Sequence, residues 1–241
     1  MTTSAQPTIR QIALLGGDEF TRDCEVIDIS LIATLRKKTP RIGIVPTAIG
    51  HLKPHMAISR AVSYFSKLGA TAYGINIHNK TDANDSSLTR ELLHADAIYL
   101  TGGDPLYLLR SIEDSLFLAT LLDIYRSGGL IIGSSAGAMV LCESVQIPPG
   151  VGKTFSGLNL IPKSCVLPHY ENLTANFTSD PKLANTSSSM SSETNLIGID
   201  SKTALFLDGK VCKVLGSGSV TIINSDSPQA YKEGTSFNNL L

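Results

Sequence analysis

The sequence predicts an α/β fold in which a mostly parallel sheet is covered by helices on both faces. In the first two-thirds of the 241 residues, short apolar runs alternate with segments whose apolar residues recur at helical spacing. Strands that alternate with helices form parallel sheets, because each helix returns the chain across one face. Several of the runs end in glycines, which indicates tight turns at the carboxyl edge, where such sheets bind ligands.

The elements follow from these patterns in chain order. The expected strands are 10–17, 41–48, 70–77 and 96–103, and the expected helices are 24–38, 55–69, 88–95 and 106–129. Gly69 follows the second helix as its natural stop, and the fourth helix is expected to break near Asp114. Residues 130–141 predict a strand, a sharp turn and a helix.

Beyond Cys142 the pattern loosens. Residues 144–163 are predicted to be a loop, and 164–170 a strand that ends at His169. The polar, serine-rich segment 171–195 is either a lid or a helix without a clear pattern. Four short strands with glycine turns then predict a C-terminal β meander within 196–224. No linker is visible, so we expect one domain over residues 1–241.

Composition excludes several classes of function. The net charge of −1 favours neither nucleic acid nor an anionic membrane as a partner, and the longest apolar run is too short to span a bilayer. The first residues do not resemble a signal peptide. Four scattered cysteines indicate small buried residues in a reducing cytoplasm and predict no metal site (Cys24, Cys142, Cys165 and Cys212). We therefore expect a cytoplasmic protein without cofactor or metal.

Residues 133–137, "GSSAG", match the Gly-x-Ser-x-Gly nucleophile elbow. An apolar strand precedes the motif and a helix-compatible segment follows it, which is the context that the elbow requires. The turn lifts the Ser135 hydroxyl above the sheet edge, and the helix below offers backbone N–H groups to a developing oxyanion. A plain turn of small residues is the alternative. The context favours Ser135 as a nucleophile.

A serine hydroxyl needs a base, and among the five histidines His169 is the best candidate. It ends a strand and can lie at the same sheet edge as the elbow. Asp200 ends another strand downstream and is the candidate to orient the imidazole, although a turn-forming aspartate is an equal alternative. If the strand continued through Ser201, the side chains of Asp200 and Ser201 would point to opposite faces of the sheet.

A second glycine turn, "YLTGGDPLYLL", ends the strand before the elbow strand. The backbone N–H groups of Gly103 and Ala136 would together form a two-donor oxyanion hole. Asp104, at the end of this turn, and Ser201 are the side chains that we expect to contact the substrate.

Taken together, "YLTGGDPLYLL", "GSSAGAMVL", "PHY" and "LIGIDSKTAL" resemble the family of aspartyl dipeptidase (peptidase E) and cyanophycinase over nearly the whole chain. The resemblance implies a three-layer fold like that of class I glutamine amidotransferases, with serine in place of cysteine. It also implies that Ser135 is the nucleophile, His169 the base, and Gly103 and Ala136 the oxyanion donors.

Two positions depart from the family pattern. Ser201 occupies the place of the family's third triad member, a glutamate, beside Asp200. No arginine follows Arg126, whereas the aspartyl dipeptidase pairs an arginine after the histidine with its substrate, so aspartate specificity does not follow. The expected function is a serine peptidase acting on short peptides. The alternatives are a cyanophycinase-like isopeptide hydrolase and a catalytically silent binding protein, and a homodimer is left open.

Two other motifs are predicted to be decoys. Residues 147–155, "IPPGVGKTF", end like a P-loop, but Ile147 replaces its first glycine and Gly157 and Pro162 oppose the helix that must follow. We expect no ATP binding there. Residues 16–20, "GGDEF", spell a cyclase signature too near the start of the chain, and are expected to be the turn after the first strand.

Overall fold

The computed structural model describes residues 10–150, 152–177, 194–223 and 228–238. In chain order the strands are β1 (Gln11–Leu15), β2 (Arg41–Val45), β3 (Thr71–Gly74), β4 (Ala97–Leu100), β5 (Leu130–Ser134), β6 (Cys142–Ile147), β7 (Lys153–Ser156), β8 (Ile161–Pro168), β9 (Asn195–Ile199), β10 (Thr203–Asp208), β11 (Val211–Gly216), β12 (Ser219–Ile223), β13 (Gln229–Lys232) and β14 (Ser236–Asn238). The α-helices are α1 (Glu25–Thr34), α2 (Pro54–Lys67), α3 (Ser86–Arg90), α4 (Pro105–Ile112), α5 (Leu116–Arg126), α6 (Ala136–Leu141) and α7 (Tyr170–Phe177).

An eight-stranded sheet forms the centre of the fold, in the order β14-β11-β10-β1-β5-β4-β2-β3. Its strands β1 to β5 are parallel, as their alternation with helices predicts. Strands β10, β11 and β14 extend the sheet in antiparallel fashion beyond β1. The carboxyl ends of β1, β4 and β5 therefore lie side by side, and the turns that follow them share one edge.

A second sheet has the order β13-β12-β9-β8-β6-β7. Strands β6, β8 and β9 are parallel, so β8 and β9 also bring their carboxyl ends together. The expected C-terminal strands are present but are divided between the two sheets. A single buried cluster contains residues from both sheets, among them Leu14, Val166 and Ile197.

The prediction that residues 144–163 form a loop is wrong, because most of this segment forms strands β6 and β7 and the start of β8. Lys153, the P-loop-like lysine, opens strand β7 rather than a helix. Within this hairpin the Gly150 N–H donates to the Gln146 side chain and the Gly152 N–H to the Pro148 carbonyl. These N–H groups are engaged within the hairpin, which differs from the phosphate cradle of a P-loop.

The helix predictions are confirmed in their main features. The long helical segment 106–129 breaks at Asp114, which has a φ of 45°. Gly69 follows α2 with a φ of 80°, as a helix-ending glycine does. The start of the polar segment 171–195 lies within α7, and residues 178–193 lie outside the described residues.

The four cysteines are buried and free, as predicted. Among the described residues, none of the helices is both long and apolar enough to cross a membrane. The same residues contain no group of three or more histidine, cysteine or acidic side chains placed to hold a metal ion.

One buried carboxyl should make folding stability depend on pH. Asp28 of α1 is 1% exposed, accepts a hydrogen bond from the Tyr64 hydroxyl at 2.8 Å, and its Oδ1 has no partner among the described residues. Burial, opposed by the Tyr64 hydrogen bond and aided by the charge of Glu19, raises the pKa of Asp28 from 3.8 to about 7. The contribution of Asp28 to the free energy of unfolding is therefore fully present below about pH 3.8 and is lost as the pH rises through about 7.

We therefore expect Asp28→Asn to stabilise the protein above about pH 7 and to lose this advantage near pH 4. Since one pKa unit corresponds to about 1.4 kcal/mol, the gain in the free energy of unfolding is at most about 4 kcal/mol. Denaturant unfolding at both pH values measures the difference. Asp123→Asn, on the exposed face of α5, is the control and should change stability little at either pH. A pH-independent effect of Asp28→Asn would contradict this account.

Candidate active site

Ser135 lies in a tight turn between β5 and α6, with φ 48° and ψ −109°. A Cβ on Gly133 would lie 2.5 Å from the Gly137 backbone, and one on Gly137 would lie 2.3 Å from the Leu100 carbonyl oxygen. Both glycines are therefore required by the turn, as the motif predicts. A non-glycine residue in this backbone region is strained, and such strain is concentrated at functional sites. The Ser135 N–H donates to the Leu15 carbonyl at 2.9 Å, which ties the turn to β1.

The structure brings His169 to this serine. His169 follows the last residue of β8, and its Nε2 lies 3.2 Å from Ser135 Oγ. The backbone N–H of His169 donates to the Gly16 carbonyl at 3.0 Å, which anchors the residue to the turn after β1. The imidazole lies over Gly17, where an added Cβ would be 2.0 Å from His169 Cε1. The glycine pair after β1 therefore makes room for the ring, a role that the sequence analysis did not assign.

The outer nitrogen of the imidazole contacts Ser201, and the expected contact with Asp200 is absent. His169 Nδ1 lies 2.8 Å from Ser201 Oγ. The Asp200 carboxylate instead accepts the Ser219 N–H at 2.8 Å. Strand β9 ends at Ile199, so the strand does not continue through Ser201, and the side chains of Asp200 and Ser201 have different partners. Partial burial raises the pKa of Asp200, although the Ser219 N–H opposes this. Ser201, expected to contact substrate, therefore faces the imidazole.

Glu171 is a further residue of this cluster that the sequence analysis missed. It is the second residue of α7, two residues after His169, and its Oε2 accepts the backbone N–H of Ser201 at 2.9 Å. Burial opposes ionisation, but hydrogen bonds from the Ser201 side chain and backbone outweigh it, and the pKa of Glu171 is lowered. The available signal was a glutamate close to the histidine in a chain that lacks the family's usual glutamate.

The second glycine turn lies beside the elbow, between β4 and α4. Gly103 has a φ of 141°, and a Cβ there would lie 2.5 Å from the Ala48 carbonyl oxygen, so glycine is required. The Ala136 N–H lies in the first turn of α6, where N–H groups lack intrahelical partners. Asp104, predicted to contact substrate, caps α4: its carboxylate accepts the Tyr107 N–H at 3.0 Å. It is exposed and is not among the residues that line the cavities described below.

Glu19 joins the two glycine turns. Its Oε1 accepts the Gly102 N–H at 2.8 Å, and its Oε2 accepts the Ser134 hydroxyl at 2.7 Å. The segment "GGDEF" is thus the expected turn after β1, but it also supplies a carboxylate that supports the elbow. The signal was its position, because the turn after a central parallel strand lies at the ligand-binding edge.

Two cavities flank Ser135 and His169. The polar cavity, of about 580 Å³, is lined by charged side chains of both signs, by Thr101 and by apolar side chains (the charged residues are Asp18, Glu19, Lys53 and Arg60, and the apolar ones Phe20, Ile49, Met56 and Ala57). The apolar cavity, of about 360 Å³, lies on the side of Ala136 and is lined mostly by apolar side chains (Met139, Ile147, Pro148, Pro149, Pro168 and Leu173). Thr101 is 2% exposed, and its hydroxyl has no partner among the described residues.

A parallel α/β sheet with a strained serine elbow beside a histidine is the arrangement of serine hydrolases. The sequence profile of peptidase family S51 matches residues 12–215, and the chain belongs to this family. A cyanophycinase from Trichormus variabilis is 29% identical over 232 residues, covering 91% of this chain and 75% of that protein. A peptidase E from Escherichia coli O6:K15:H31 is 27% identical over 118 residues, 47% of this chain and 48% of that protein.

A solved structure supports the fold. The crystal structure of a peptidase from an acI-B1 actinobacterium superposes with a TM-score of 0.83 at 24% identity, covering 97% of this chain and 98% of that chain. At this identity the likeness shows a shared fold. The predicted α/β architecture is therefore confirmed.

Proposed function

We propose that this S51 peptidase hydrolyses short peptides, with Ser135 as the nucleophile and His169 as the general base. The observation on which the proposal rests is the 3.2 Å separation of His169 Nε2 and Ser135 Oγ at a strained elbow. This distance is at the upper end of the range for a nucleophile and its base. The elbow lies where two cavities meet, so a peptide bond above Ser135 would have one flanking residue in each.

The chemistry follows from this geometry. His169 Nε2 accepts the Ser135 hydroxyl proton as Oγ attacks the carbonyl carbon, and the resulting oxyanion would be stabilised by the N–H groups of Gly103 and Ala136. The imidazolium then gives its proton to the leaving amine, and the C–N bond breaks to leave an ester on Ser135. Water, deprotonated by His169, hydrolyses the ester and restores the hydroxyl.

The cavities favour a substrate with unlike ends. The apolar cavity suits an aliphatic or aromatic side chain, while the polar cavity supplies Lys53 and Arg60 to a polar one. A cyanophycinase-like isopeptide hydrolase is the second candidate. The carboxylates of Asp18 and Glu19 in the polar cavity favour it, because they suit a cationic group.

A fluorophosphonate probe tests the proposed nucleophile. We expect stoichiometric labelling, with the adduct found on Ser135 by mass spectrometry of the digested protein. A folded protein that resists the probe would instead be a catalytically silent member of the family. A panel of dipeptides and β-aspartyl isopeptides then separates the two substrate classes, and we expect cleavage of dipeptides with one apolar residue. Cleavage of isopeptides alone would favour the second candidate.

A further inference from the structure

Among the residues that the structure describes, no carboxylate is in hydrogen-bond contact with the His169 imidazole, although the proposed reaction forms an imidazolium. The partner of its outer nitrogen in this part of the chain is the neutral hydroxyl of Ser201, at 2.8 Å. A neutral partner orients the ring but stabilises a positive charge less than an anion does. The arrangement therefore raises the question of where the compensating negative charge lies.

Glu171 supplies an anion beyond Ser201: Ser201 contacts the His169 imidazole, and Glu171 contacts Ser201. Its carboxylate accepts the Ser201 N–H at 2.9 Å, which holds it against the residue that contacts the imidazole. It lies in the first turn of α7, where the helix dipole favours a negative charge. Burial acts to raise the pKa of Glu171, but the contact with Ser201 outweighs it and the pKa is lowered, which favours the ionised carboxylate.

We infer that Glu171 is a positioning residue of the active site, which orients the Ser201 hydroxyl and stabilises the His169 imidazolium through it. The inference rests on the proposed function. His169 Nδ1–H donates to Ser201 Oγ, and the Ser201 hydroxyl proton in turn points to the Glu171 carboxylate. The unit is then Ser135, His169, Ser201 and Glu171, in which a serine and a displaced glutamate together occupy the role of a single triad carboxylate.

Other charged groups face the same cluster. Asp18, Asp200 and Lys202 line a third cavity, of about 420 Å³, beside His169 and Glu171. The Asp200 carboxylate is engaged by the Ser219 N–H, and Lys202 forms an ion pair with Asp23 at 2.7 Å. Glu19 is engaged by Gly102 and Ser134. Asp200 is therefore the matched control, since it places a carboxylate in the same cavity without a contact to the imidazole.

The test is the rate constant of fluorophosphonate labelling, measured from about pH 5 to about pH 9. Glu171→Gln keeps an oxygen that can accept the Ser201 N–H but removes the charge. We expect its plateau rate to fall about three- to tenfold, because the imidazolium in the transition state loses a solvent-screened anion. The acid limb of the pH–rate profile should move to lower pH, because the His169 imidazole releases its proton more readily without the neighbouring anion. Asp200→Asn should leave the plateau within about twofold and the limb in place.

The outcomes distinguish failure of the proposed function from failure of the role inferred for Glu171. If the wild-type protein is not labelled, the proposed function itself fails. If it is labelled, and Glu171→Gln keeps the wild-type acid limb, the inference is overturned, because a merely structural loss lowers the rate without moving the limb. An equal shift in Asp200→Asn would also overturn it, since general negative potential would then explain the effect.

A double-mutant cycle tests the path through Ser201. In a Ser201→Ala background the hydroxyl that links the carboxylate to the ring is absent. We therefore expect Glu171→Gln to add less than about twofold there, although it slows the wild-type protein more. Equal effects of Glu171→Gln in both backgrounds would show that Glu171 acts independently of Ser201, and the inferred relay would be wrong.

Discussion

Ser135→Ala should abolish fluorophosphonate labelling and lower peptide hydrolysis by several orders of magnitude. The expectation follows from the elbow geometry, in which the Ser135 hydroxyl lies within 3.2 Å of His169 Nε2. Loss of the nucleophile in a cooperating unit of this kind costs on the order of 10⁴–10⁶ in turnover. Labelling is followed by intact mass, and hydrolysis by release of free amino acid from the best dipeptide of the panel.

Ser134→Ala is the neighbouring control. Ser134 is fully buried, and its hydroxyl donates to Glu19 Oε2 at 2.7 Å, away from the reacting atoms. We expect the variant to be labelled within about tenfold of the wild-type rate and to lose about 1–3 kcal/mol of stability, because a partly buried carboxylate loses a donor. Near-normal hydrolysis by Ser135→Ala would refute the assignment of the nucleophile.

Gly17→Ala should reduce labelling and hydrolysis at least about a hundredfold, because it displaces the proposed base. A methyl group at this position would lie 2.0 Å from His169 Cε1 and 2.6 Å from Nε2, so the ring must move away from Ser135. Gly17 also has a φ of 133°, which a residue with a side chain adopts only under strain. Labelling rate and thermal stability are measured together on the purified variant.

Gly69→Ala separates backbone strain from displacement of the ring. Gly69 also has a positive φ, of 80°, but a Cβ there meets nothing within 4 Å. We expect a loss of about 1 kcal/mol in stability and a wild-type labelling rate. If Gly17→Ala also retained the wild-type rate despite its destabilisation, His169 would not be held by this turn in the way that the structure indicates.

Local patterns predicted the parts of the site that depend on short segments. The spacing of Gly133, Ser135 and Gly137 is a property of one turn. A Cβ at either glycine would clash with the backbone, which explains why the motif can be recognised from the sequence. The break at Asp114 and the stop at Gly69 are equally local. The hairpin of β6 and β7 was missed, because its pairing partners lie outside the segment and its glycines and prolines resemble those of a loop.

The sequence by itself determined the α/β class, the elbow and the place of His169 at a strand end, because hydrophobic periodicity and glycine turns act over a few residues. Only the tertiary structure decided which side chains meet across 30 or more positions of the chain. The choice of Ser201 over Asp200 depended on where β9 ends, and the roles of Glu19 and Glu171 depended on which strand ends share an edge. Such contacts are set by the packing of two sheets on one core, which no local pattern encodes.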